Sequence, residues 1–132
     1  MREDFAQTSR FQVQSTSDQQ DYRLYPVIAA TAPLMVLPEQ AASWAYPQAE
    51  MDAEQTAFNI NTTFLGRFFL SGYINQMEEW QKNIIQQGIQ AYREHVQPMI
   101  GESVPLWPLG LPSWDSAVVE LGVKASKRTI VT

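Results

Sequence analysis

Cysteine is absent from this chain, and histidine occurs once, at His95. No disulfide framework and no thiolate metal site are therefore available. A lone imidazole makes no histidine cluster for a metal within one chain either. Charge is sparse as well: charged residues are 17% of the sequence, with nine Lys and Arg against fourteen Asp and Glu, for a net charge of −5. Without a basic stripe, nucleic acid is not an expected partner. No uninterrupted apolar run approaches the roughly 18 residues of a membrane span. The opening "MREDFAQTSR" is charged and has no apolar segment, so it does not read as a secretory leader. These absences describe a soluble, cytoplasmic chain with no metal and no membrane contact.

What is present is enough apolar material for a core. The 132 residues are 45% apolar, which favours one folded domain over a disordered chain. Residues 2–10 suit a short helix. "FQVQSTS", Phe11 to Ser17, alternates: Phe11, Val13 and Ser15 share one face, and that pattern predicts a strand. The next stretch turns without any glycine; Asp18 and Asp21 are both candidate helix caps there, and Pro26 interrupts the segment. "LMVLP", Leu34 to Pro38, is an apolar run between prolines and predicts a buried second strand. "EQAASWAYPQAEM" reads as the loop after it.

Asp52, with Gln55 three residues on, predicts a capped helix whose apolar positions are Ala53, Ala57, Ile60 and Phe64 and which ends at Gly66. "RFFLSGYI" predicts a third strand. From about residue 77 to 96, the spacing of Trp80, Ile84, Gly88 or Ile89, Tyr92 and Val96 predicts a long amphipathic helix with Trp80 in the core. A connector rich in proline and tryptophan follows, in which Trp107 and Trp114 suit docking between domains. "AVVELGVKASKRTIVT" then reads as two short strands. Strands alternating with helices imply an α/β fold with parallel strands and crossover helices. Three such units are too few to close a barrel, so they form either a small open sheet or a piece of something larger.

Four segments carry a family likeness: "VQSTSDQQDYRLYPVIAATAP", "VLPEQAASWAYPQ", "LGRFFLSGYI" and "VPLWPLGLPSWD". In order and spacing they resemble the later part of a bacterial α-galactosidase of glycoside hydrolase family 36, from about residue 12 to residue 122. The resemblance implies a partial (β/α)₈ barrel, about its last three β/α units, over residues 1–100. Residues 101–132 would be a connector and the beginning of a C-terminal β-domain. "FQVQSTS", "LMVLP" and "RFFLSGYI" would be the sixth, seventh and eighth barrel strands.

Such enzymes are retaining hydrolases of terminal α-galactosides. They use a nucleophile after the fourth strand and an acid/base after the sixth, and the acid/base position is matched here by Asp18 in Ser17-Asp18. The two carboxylates of a retaining pair stand roughly 5–5.5 Å apart. The acid needs burial, or the charge of its partner, to hold a proton near neutral pH. The fourth strand would lie upstream of residue 1, so the chain is expected to be a fragment that is inactive alone. Its expected partners are an α-galactoside and either the missing N-terminal part or further copies of itself.

For each candidate residue a plainer role stands beside the functional one. Asp18 is the acid/base by resemblance, or else a helix cap worth ~1 kcal/mol. Asp21 is a cap or a solvated carboxylate. Trp44, followed by Tyr46, offers a flat face for the apolar side of galactose, or packs its own loop. Glu39 and Gln40, placed where the second strand ends, would bind a sugar hydroxyl or satisfy loop backbone. His95, near a helix C-terminus, meets the helix dipole. The rival to hydrolysis is a non-catalytic carbohydrate-binding or assembly piece that pairs with another chain through exposed strand edges.

Overall fold

The computed structural model describes residues 13–115, 122–125 and 128–131. The helix expected over residues 2–10 and the start of "FQVQSTS" lie outside them. The first half of the fold is a parallel sheet in the order β1-β2-β3, made of β1 (Gln14–Ser15), β2 (Ala41–Ala45) and β3 (Arg67–Leu70). The strands alternate with α1 (Tyr25–Thr31), α2 (Ala53–Asn61) and α3 (Glu79–Ala91). The second sheet is antiparallel, β4 (Val104–Leu106), β5 (Gly122–Ala125) and β6 (Arg128–Val131) in that order. The molecule is thus mixed α/β. The indole N–H of Trp107 donates to the Ala30 carbonyl at 2.7 Å and ties the connector to the end of α1.

The second strand is not where the apolar run suggests. "LMVLP" forms the end of a 3₁₀ turn (Ala32–Leu34) and then surface turns, with Leu34, Met35 and Leu37 all more than half exposed. The Ala41 N–H reaches back to the Leu37 and Pro38 carbonyls, and only then does the chain extend as Ala41–Ala45. Prolines at both ends explain the outcome: each lacks an N–H for a ladder, and a central parallel strand needs every one. "AASWA" supplies them, and its small side chains let helices pack close. Ala41, Ser43 and Ala45 lie on the helix-covered face of the sheet, while Ala42 and Trp44 lie on the other.

Pro26 does not interrupt α1 but sits in its first turn, where a missing N–H costs nothing. α2 starts as its sequence predicts. The Asp52 carboxylate accepts from Gln55 N–H at 2.8 Å, and the Gln55 side chain accepts from Asp52 N–H at 3.2 Å. Its Ile60 packs with Ala45, Met77 and Ile85 in one apolar cluster. A methyl group on Gly88 of α3 would collide with Ile60 Cγ2, so this glycine sets how closely the two helices approach.

Trp80 is not core. It is 41% exposed, and its indole donates to Glu78 at the helix start. The buried face of α3 runs one residue later, through Gln81 and Ile85, and continues into a π-helical turn at Tyr92–Val96. Tyr92, Val96 and Ile100 form a second cluster with Phe64 and Phe68.

Candidate functional site at the C-terminal rim of the parallel sheet

Parallel α/β sheets present their loops to ligands at the carboxyl ends of the strands. Here that end is formed by the segments after Ser15, Ala45 and Leu70. The first of them turns without glycine by a ladder of side-chain acceptors. Ser17 Oγ accepts from Gln19 N–H (3.0 Å), Gln19 Oε1 from Asp21 N–H (2.9 Å), and Asp21 Oδ1 from Arg23 N–H (2.9 Å). Each bond spans two residues, the short turn that Ser and Asp side chains make with their own backbone. The Asp21 carbonyl then accepts from Leu24 and Tyr25 N–H, launching α1.

Asp18 stands outside this ladder. It is exposed, and the N-cap of α1 is Leu24, so Asp18 does not cap that helix. Its charge is felt instead by Tyr46, one residue past β2. Burial first, and then the negative charge of Asp18, raise the Tyr46 phenol above its ordinary pKa. The loops after β1 and β2 are therefore electrostatic neighbours at the rim.

Strand pairing beneath them is pinned by Tyr25 of α1. Its hydroxyl accepts from Trp44 N–H at 2.6 Å and lies 3.0 Å from Thr16 Oγ1, which donates to the Ala42 carbonyl at 2.8 Å. Desolvation raises the Tyr25 pKa, so this phenol keeps its proton throughout the physiological range.

Trp44 is a strand residue rather than a loop residue. Its indole N–H donates to Ser15 Oγ at 3.1 Å. One side of its ring meets Phe69 of β3 (centroids 4.9 Å apart), and Tyr46 stacks with it (6.1 Å, 19° between planes). The face of the sheet away from the helices thus carries an aromatic row that leads up to the rim.

A cleft of about 480 Å³ opens there, lined from all three loops: Gln20 after β1, Tyr46, Gln48 and Glu50 after β2, and Ser71, Tyr73 and Gln76 after β3. Two devices hold its walls. Gly72, with φ +121°, lies so close to the Pro47 carbonyl oxygen that a Cβ would stand 2.7 Å from it, so the two loops touch through backbone. Gln81 of α3 is wholly buried. Its amide N–H₂ donates to the carbonyls of Gln48 and Ala49 at 3.2 Å and of Met51 at 3.0 Å, and its oxygen accepts from Glu78 N–H at 3.1 Å.

Glu39 and Gln40 do not join this site. Because β2 begins at Ala41, both precede the strand and belong to the opposite, N-terminal end of the sheet. The Gln40 carbonyl accepts from Gln14 N–H at 2.6 Å and its N–H donates to Leu37, so its backbone builds the strand entry. Glu39 borders a separate hollow at the edge of β3 with Arg67, Tyr92 and Arg93. Sequence reasoning missed Glu50, Tyr73 and Gln76. Only the position of Tyr73, just after an apolar strand and a Ser-Gly pair, hinted at a rim residue.

Among the described residues, no group of three His, Asp or Glu side chains is placed to hold a metal ion, and no helix is long and apolar enough to cross a membrane. Compared with protein-family models, curated proteins and solved structures, the chain matched none.

Proposed function

We propose that this chain supplies the acid/base side of a retaining α-galactosidase, as the last three β/α units of a (β/α)₈ barrel followed by the start of a β-domain. The observation that carries the reading is the place of Asp18: three residues past β1, at the carboxyl rim of a parallel sheet, with its charge on Tyr46 after the adjacent strand. The sequence likeness around Ser17-Asp18 gives that carboxylate its role. Strands running parallel in consecutive order β1-β2-β3 support the same reading, since barrel units succeed one another in that way.

In the proposed reaction, Asp18 protonates the glycosidic oxygen as a carboxylate from another chain or segment attacks the anomeric carbon. It then takes the proton of the water that releases the sugar. No cofactor is required. A general acid needs burial or an anionic neighbour to hold its proton at neutral pH, and in the proposed assembled site the nucleophile supplies that charge. The test is reassembly. This chain, mixed with a polypeptide carrying the first five β/α units and their nucleophile, is expected to hydrolyse an aryl α-galactoside, and Asp18→Asn is expected to abolish the reaction. Full activity with Asp18→Asn would end this reading.

A second reading, an assembly piece without catalysis, has its own observation. Leu34, Met35 and Leu37 are 51%, 56% and 54% exposed side by side, an apolar patch of the kind that partners cover. Sugar binding without hydrolysis in the reassembled mixture would favour it.

A further inference from the structure

The cleft after β2 and β3 has a composition of its own, and Asp18 is not among its lining residues. Its volume, about 480 Å³, falls within the roughly 300–1,000 Å³ of small-molecule sites. Tyr73 is 70% exposed, a large ring left open to solvent by the described residues. It follows Gly72, whose backbone is locked against Pro47, so the ring is carried on a fixed stem. Tyr46 is the opposite case, a ring stacked with Trp44 and already positioned. Gln48 and Gln76 line the same cleft, and each side-chain amide offers a donor and an acceptor. Among the described residues, no Lys or Arg lines the cleft, and Glu50 is its one carboxylate.

Flat rings, amides with both hydrogen-bonding senses, and a negative rather than a positive charge suit a neutral polyhydroxylated ligand and repel an anionic one. The cleft is lined on one side by Gln20, two residues past Asp18 on the loop after β1. In acid-catalysed glycoside cleavage the acid stands beside the leaving oxygen. We infer that this cleft is the binding site of the leaving group, that it takes a neutral sugar and rejects a phosphorylated one, and that Tyr73 is the residue that decides binding. The assignment to the leaving group rests on the proposed role of Asp18. Sugar binding in the cleft does not.

The experiment uses the purified chain alone, with amide chemical shifts followed by NMR during titration with glucose and, separately, with glucose 6-phosphate. Glucose is expected to move the Tyr46, Gly72 and Gln76 amides saturably. Tyr73→Ala should weaken binding at least tenfold, while Tyr73→Phe, which keeps the ring, should stay within about twofold. Glucose 6-phosphate should bind at least tenfold more weakly than glucose at neutral pH, and Glu50→Gln should narrow that gap. The inference is overturned if glucose leaves these amides unmoved, if Tyr73→Ala binds as the wild type does, or if the phosphorylated sugar binds equally well. Its failure is separable from failure of the hydrolytic reading, which is decided by Asp18→Asn in the reassembled enzyme. Glucose binding here with an active Asp18→Asn there would leave a sugar site without that chemistry, and the reverse pair would leave the chemistry without this site.

Discussion

The two ends of the parallel sheet are made by the same three strands, yet they are built for different work. At the carboxyl end the three loops converge: Gln20, Tyr46, Glu50 and Tyr73 line one opening, and the exposed Asp18 lies two residues before Gln20. At the amino end, the best-placed polar groups hold the fold. The Tyr92 hydroxyl donates to the Gly66 carbonyl at 2.9 Å and accepts from Phe68 N–H at 3.3 Å, and Gln40 closes the entry to β2. Where polar groups are spent on the backbone, a residue reads as structural. Where the backbone is satisfied by other means, as in the Ser17–Gln19–Asp21 ladder, the remaining side chains are free to meet a ligand.

That contrast is broken most sharply by comparing one carboxylate from each end. In the reassembled enzyme, Asp18→Asn should lower turnover by about 10²–10⁴-fold, the usual contribution of a positioned general acid. Glu39→Gln should change turnover less than about twofold. Equal losses would erase the difference between the ends.

Next in size is the packing that both ends share. Ile60→Ala, at a side chain 1% exposed in the main cluster, should cost about 2–5 kcal/mol by urea unfolding. Gln81→Met should cost roughly 1–3 kcal/mol, because it removes the side-chain partner of the Ala49 and Met51 carbonyls and of the Glu78 N–H, while the Gln48 carbonyl keeps only Met51 N–H. It should also speed amide exchange in the loop after β2 while leaving β3 protected, which localises the damage to the carboxyl end.

A smaller effect comes from alkaline pH. Burial raises the pKa of Tyr25 and of Tyr92, so the folded state holds these phenol protons more tightly than the unfolded chain does. Folding stability is then intact below the ordinary phenol value of about 10 and declines as pH rises beyond it. Tyr92→Phe should flatten part of that decline in a series of urea unfolding curves.

Legibility in the sequence followed the range of the interactions. The start of α2 was readable because Asp52 and Gln55 satisfy each other within four residues. The order of strands and helices was readable from periodicity. The second strand lies later than the large apolar residues of "LMVLP" suggest, because it buries alanines whose small side chains matter only once helices lie against them. With the strand at Ala41–Ala45, Glu39 and Gln40 precede it and Trp44 lies within it. Trp80 and Gln81 fail in a related way. No hydrophobic pattern shows that a glutamine will be buried, since its acceptors are backbone carbonyls thirty or more residues distant. The cleft was illegible for the same reason: Glu50, Tyr73 and Gln76 meet only because a glycine lets two loops touch.

The hydrolytic reading depends on Asp18 lying close enough to Tyr46 at the rim for its charge to act there, and one titration measures that influence on the chain as it is. With tyrosine rings isotopically labelled, the ionisation of Tyr46 is followed by NMR in the wild type and in Asp18→Asn. Removing the negative charge should lower the Tyr46 pKa while leaving it above the ordinary phenol value, since burial remains. An unchanged Tyr46 titration would place Asp18 away from the rim and contradict the account.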